Sequence, residues 1–72
     1  MLRLGNSIRL TSREIARFTE ITGFEPVKVN SLDALDAYVE HCKNYYSGES
    51  KDARFLRWLI DREKSACLGV AA

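Results

Sequence analysis

The chain has 72 residues, 46% of them hydrophobic and 29% charged, and a formal net charge of +1. That length is read as one domain, 1–72, which buries only about 60% of its unfolded surface and so leans on a disulfide, a metal or a partner subunit. The apolar content excludes a disordered chain, and the near-neutral charge excludes a global field for nucleic acid or membrane. No apolar run reaches the roughly 20 residues of a membrane span.

The charges are unevenly spread. Residues 1–17 carry Arg3, Arg9, Arg13 and Arg17 against Glu14 alone, whereas acids dominate 18–52. Bases return after residue 53 as Arg54, Arg57, Arg62 and Lys64. The first ten residues include Arg3 and Arg9 and have no apolar core of a secretion signal, so the expected location is the cytoplasm. Cys42 and Cys67 have no metal-type spacing, and with His41 they fall short of four ligands. No metal or cofactor is expected, and both thiols are expected to be free.

In chain order, Leu2, Leu4, Ile8 and Leu10 alternate with polar residues around Gly5-Asn6-Ser7, which reads as a short hairpin. Thr11-Ser12-Arg13-Glu14 is a capping box that opens a helix over 12–22, with Ile15 and Phe18 facing inward and Gly23 ending it. Pro26 to Asn30 reads as an edge strand, with Val27 and Val29 on one face. Ser31 caps a second helix, 32–46, whose Leu32, Leu35, Tyr38, Val39 and Cys42 share an arc. The short connector 47–50 predicts an antiparallel pair with a third helix, 51–66, in which Glu40 would approach Arg57. The expected fold is a helix-dominated α+β domain, with a minor sheet from 2–10 and 26–30. Its expected core is Ile15, Phe18, Leu32, Leu35, Val39, Cys42, Phe55, Leu56, Leu59 and Ile60.

Catalytic constellations fail. His41 has no Ser or Cys three or four residues away, and Gly5, Gly23, Gly48 and Gly69 are isolated rather than gathered in a phosphate loop. Asp33, Asp36 and Glu40 read as a solvated helix face. A chain this short leaves little room for a small-molecule pocket, so no enzyme and no small-molecule substrate is expected. The segment 10–23 has the composition of a first helix of a helix-turn-helix, but Glu20 stands where that motif needs Gly.

Interface chemistry remains. Trp58 is flanked by Arg54 and Arg62, with Arg57 beside it and Tyr45 at the end of the preceding helix. Trp, Tyr and Arg dominate binding hot spots, so these five residues are the candidate surface for a protein partner or a second copy. The alternative is that Trp58 closes the edge of the small core while the arginine stems cover it. The expected function is a non-enzymatic binding or regulatory module.

A second reading uses the N-terminal arginines. Arg3-Leu4-Gly5-Asn6-Ser7, then Ile8 and Leu10, a short helix and Glu25-Pro26-Val27-Lys28-Val29 resemble the AbrB/MazE-type swapped-hairpin antitoxin family. The likeness covers residues 2–29. It departs from that pattern at Thr11, where a Pro would precede the helix, and at Phe24, where a Gly would precede the acid. The resemblance implies a dimeric DNA-binding regulator that grips DNA through Arg3 and Arg9; Arg13 and Arg17 extend that basic set. The end of the chain, 68–72, reads as a frayed tail, and its two final alanines resemble bacterial degradation tags.

Overall fold

The computed structural model describes residues 1–69. Strands β1 (Leu2–Leu4) and β2 (Ser7–Arg9) precede helices α1 (Ser12–Thr22), α2 (Leu32–Tyr45) and α3 (Lys51–Cys67). This is the expected helix-dominated α+β order.

The strands form an antiparallel hairpin with Leu2 opposite Arg9, Arg3 opposite Ile8 and Leu4 opposite Ser7. Gly5 turns the chain at φ 60°, a left-handed conformation that costs glycine no clash with a Cβ. Ile8 faces the core and is 6% exposed, while Leu4 is 84% exposed.

Each helix starts on a hydroxyl. The Thr11 hydroxyl accepts from the Glu14 amide at 3.2 Å and Glu14 Oε1 accepts from the Thr11 amide at 2.8 Å, completing the capping box. Ser31 and Ser50 accept from the amides of Ala34 and Ala53 at 3.0 and 3.2 Å. Gly23 ends α1 at φ 76°, its amide bonded to the Thr19 carbonyl at 2.8 Å.

The strand expected at 26–30 does not form. Pro26 has no amide hydrogen, and Lys28 sits at φ 60°, which breaks an extended run. Val27 is left 65% exposed. What remains of the expected pairing is an isolated bridge between Ser7 and Ser31. Around it the Ile8 amide donates to the Asn30 carbonyl and the Leu32 amide to the Asn6 carbonyl, both at 3.0 Å.

The buried core is Ile8, Leu10, Phe18, Leu35, Val39, Cys42, Ile60 and Cys67. Ile15 and Leu32 pack half-buried against it, and Leu56 and Leu59 are likewise half-buried. Phe55 is not a core residue: it is 57% exposed. The apolar arc of α3 is wider than the surface that α1 and α2 cover. The part that is sealed carries Ile60 and Cys67, seven residues apart, and Phe55 lies about 140° around the helix from Ile60.

Lys43 holds both carboxylate oxygens of Asp61 at 3.2 and 3.3 Å, and Lys64 pairs with Asp36. These two pairs fix α2 and α3 as antiparallel neighbours. The expected Glu40–Arg57 contact is absent because Arg57 is used elsewhere. Both cysteines are free and buried. Of the expected tail, Leu68 packs against the core, and residues 70–72 with the degradation signal read there lie outside the described residues.

Candidate functional site

The candidate site is the outer face of α3. With 3.6 residues per turn, Lys51, Arg54, Phe55, Asp61, Arg62 and Ser65 all fall within about 60° of Trp58. Ile60 and Cys67 anchor the opposite side in the core, so this face is turned to solvent. Trp58 is 52% exposed. Its ring lies against Phe55, with centroids 5.7 Å apart and planes 26° from parallel. The Arg62 guanidinium sits 5.3 Å from the Trp58 centroid on the next turn. The result is a ladder of phenyl, indole and guanidinium along one helix, each group restraining the next.

The charges on this face are mainly cationic. Lys51, Arg54 and Arg62 are all exposed. Asp61 is the carboxylate on this face of the helix, and Lys43 of α2 already holds it through both oxygens. Beside the indole, Trp58, Asp61, Arg62 and Ser65 line a surface depression of about 420 Å³.

Two expected members belong elsewhere. Arg57 donates from Nη1 to the carbonyls of Tyr46 at 2.6 Å and Gly48 at 2.8 Å. It closes the C-terminal end of α2, where backbone carbonyls lack helical partners, and is not free for a partner. Tyr45 is 66% exposed, but its ring meets Phe24 at 5.0 Å and Tyr46 at 4.9 Å, not the α3 ladder. Phe55 and Lys51 take their places. Phe55 carried a signal: it lies about 60° from Trp58 and much farther from the buried stripe.

The N-terminal arginines do not form one surface. In the hairpin register Arg9 shares a face with Leu2 and Leu4, while Arg3 shares the other with Ile8. Arg3 Nε donates to the Gly5 carbonyl at 3.1 Å. Arg17 lies 3.7 Å from Glu20 and 3.6 Å from Glu63. A depression of about 530 Å³ runs between α1 and α3 and includes Arg13 and Arg17 with Glu14, Glu20 and Glu63. Its cations are matched by carboxylates, so it carries no net pull on an anion.

Buried polar groups elsewhere serve the fold. Thr22 is fully buried, and its hydroxyl donates to the Phe18 carbonyl at 2.8 Å and accepts from the Phe24 amide at 3.0 Å. The Tyr38 hydroxyl lies 2.8 Å from it and donates to the Phe24 carbonyl at 2.6 Å. Tyr46 Oη donates to the Thr22 carbonyl at 2.6 Å. Tyr38 of α2 and Tyr46, which caps its C-terminal end, therefore close the end of α1. Burial raises the Tyr38 phenol above its ordinary range, so it stays a neutral donor.

Burial also pushes the Cys67 thiol up to about 12, helped by the Glu14 carboxylate beside it. A thiol held that way is no nucleophile near neutral pH. Among the described residues no group of three or more His, Cys, Asp or Glu side chains is placed to hold a metal ion. No described helix is long and apolar enough to cross a membrane.

No protein-family model matches the chain, and neither a curated protein nor a solved structure matches it.

Proposed function

We propose that this chain is a small, non-enzymatic protein-binding or regulatory module, and that the outer face of α3 is its contact surface. The observation that carries the proposal is the stacked pair Phe55 and Trp58, both more than half exposed and flanked by Arg54 and Arg62. A 72-residue chain has few large side chains to spare from its core. Leaving two aromatic rings outside, prearranged by stacking and by the Arg62 guanidinium, suits an anchor that binds with little loss of side-chain entropy. Their spacing, with Arg62 four residues beyond Trp58, is that of a helix laid into a partner's groove. The two buried free thiols fit a reducing compartment, as in the cytoplasm.

The test is affinity capture with the intact chain and with Phe55→Ala/Trp58→Ala, from cells that express the protein. The variant is expected to keep its far-ultraviolet CD spectrum and to lose the protein that the wild type retains. Retention of the same protein by the variant contradicts the proposal, as does loss of the folded spectrum, which would place the two rings in the core. DNA binding has less support, because Arg3 and Arg9 lie on opposite hairpin faces and Arg17 is paired with carboxylates.

A further inference from the structure

Resting on that reading of α3, the geometry points to a partner of one chemistry: an acidic protein segment that brings apolar side chains to Phe55 and Trp58 and carboxylates to Arg54 and Arg62, and not a second copy of this chain. Charge is the first ground. Lys51, Arg54 and Arg62 project around the aromatic pair over three helical turns. The carboxylate that shares this face, on Asp61, is held at 3.2 and 3.3 Å by Lys43 and so is already paired. Asp52 lies about 120° around the helix from Trp58, in the first turn, off this face. An apolar patch rimmed by cations steers anionic partners and repels cationic ones.

Symmetry is the second ground. A two-fold contact between antiparallel copies of α3 centred on Trp58 would set Arg54 against Arg62 of the second copy, twice. It would also set Phe55 against Asp61. A parallel contact would set each cation against itself. Either arrangement places like charges together in a drying interface, where they weaken association. An acidic segment reverses the sign at every one of these positions. The depression of about 420 Å³ lined by Trp58, Asp61, Arg62 and Ser65 has room for one apolar side chain beside the Arg62 guanidinium, and the Asp61 carboxylate in it is already paired with Lys43.

The experiment is a display selection of random 16-residue peptides against the intact folded chain. One enriched peptide is then synthesised and titrated against variants. The expected winner carries Asp or Glu around aromatic or aliphatic residues. Its affinity falls at least tenfold in Arg54→Glu/Arg62→Glu, falls steeply between 50 and 500 mM salt (about a threefold shorter screening length), and is lost in Trp58→Ala. If Trp58→Ala abolishes binding while charge reversal and salt leave it unchanged, the acidic partner is refuted and the α3 surface stands. If no enriched peptide depends on Trp58, the surface itself is refuted. Concentration-dependent dimerisation of the wild type that Trp58→Ala abolishes would show a second copy on this face and overturn the inference. So would Trp58-dependent binding to vesicles of phosphatidylglycerol or to duplex DNA in place of any acidic peptide.

Discussion

The Arg62 guanidinium lies 5.3 Å from the centre of the Trp58 ring, one turn along the same exposed helix face. That contact holds the indole in place without hiding it, since Trp58 keeps 52% of its exposure. One residue away, Arg57 points to the other side of α3 and closes the end of α2. Neighbouring positions on one helix thus divide between exposed surface and scaffold.

That division predicts opposite outcomes for two arginines three residues apart. Arg57→Ala leaves the Tyr46 and Gly48 carbonyls without their donor and should cost about 1–2 kcal/mol in urea unfolding, since bonds to charged donors are worth up to about 3. Arg54→Ala should change stability by less than about 0.5 kcal/mol, as surface substitutions away from such contacts do. Equal effects would contradict the assignment.

Thr22→Val keeps the shape of a fully buried side chain and removes its hydroxyl. The Phe24 amide then loses its acceptor and the Phe18 carbonyl the hydroxyl that donated to it. The expected cost is about 1–3 kcal/mol, read from the urea midpoint at unchanged slope.

Lys28 holds φ 60°, a conformation that costs a residue with a Cβ about 1–2 kcal/mol. Lys28→Gly should therefore gain up to about 1 kcal/mol after the greater unfolded-state entropy of glycine is subtracted. Lys28→Val should lose stability, because a branched side chain fits that conformation worst. Thermal melting of the two variants shows the sign directly.

The pH dependence of stability has two arms. Burial pushes the Glu14 carboxyl up, but bonds from the Thr11 amide, the Met1 ammonium, the Cys67 thiol and the Thr11 hydroxyl together hold it below its ordinary 4.5. Its contribution is therefore present above pH 4.5 and is lost as pH falls through the lowered folded value. Cys67 is shifted the other way, so its contribution is present below its ordinary 9.0 and is lost as pH rises toward about 12. Glu14→Gln should flatten the acid arm, and Cys67→Ser the alkaline arm, in melts taken across pH. Alkylation of Cys67 at pH 8 should be far slower than that of an exposed thiol.

Much of this was legible in the sequence where the physics is local. Thr11, Ser31 and Ser50 announce their helices because a cap bonds only three residues ahead. Phe18, Leu35, Val39, Cys42 and Ile60 were legible as core because each lies near the middle of its apolar stripe. Pro26 to Asn30 misled: Val27 and Val29 alternate as in a strand, yet a single residue, Lys28, turns the backbone left-handed between them. Phe55 misled because periodicity shows that an arc is apolar but not which part of it the other helices cover. Arg57 was read as surface because its partners belong to another element, reached only once α2 and α3 have packed. Trp58, Arg54 and Arg62 are exposed for a simple reason: all three lie opposite the residues that must be buried.

The most direct measurement is quenching of the fluorescence of Trp58, the single tryptophan of the chain, by iodide and by caesium. An indole half exposed among Lys51, Arg54 and Arg62 should be quenched readily by iodide and poorly by caesium, because the local potential gathers anions. The gap should close in Arg54→Glu/Arg62→Glu. An indole that neither ion quenches would lie sealed in the interior, and the α3 surface would not exist.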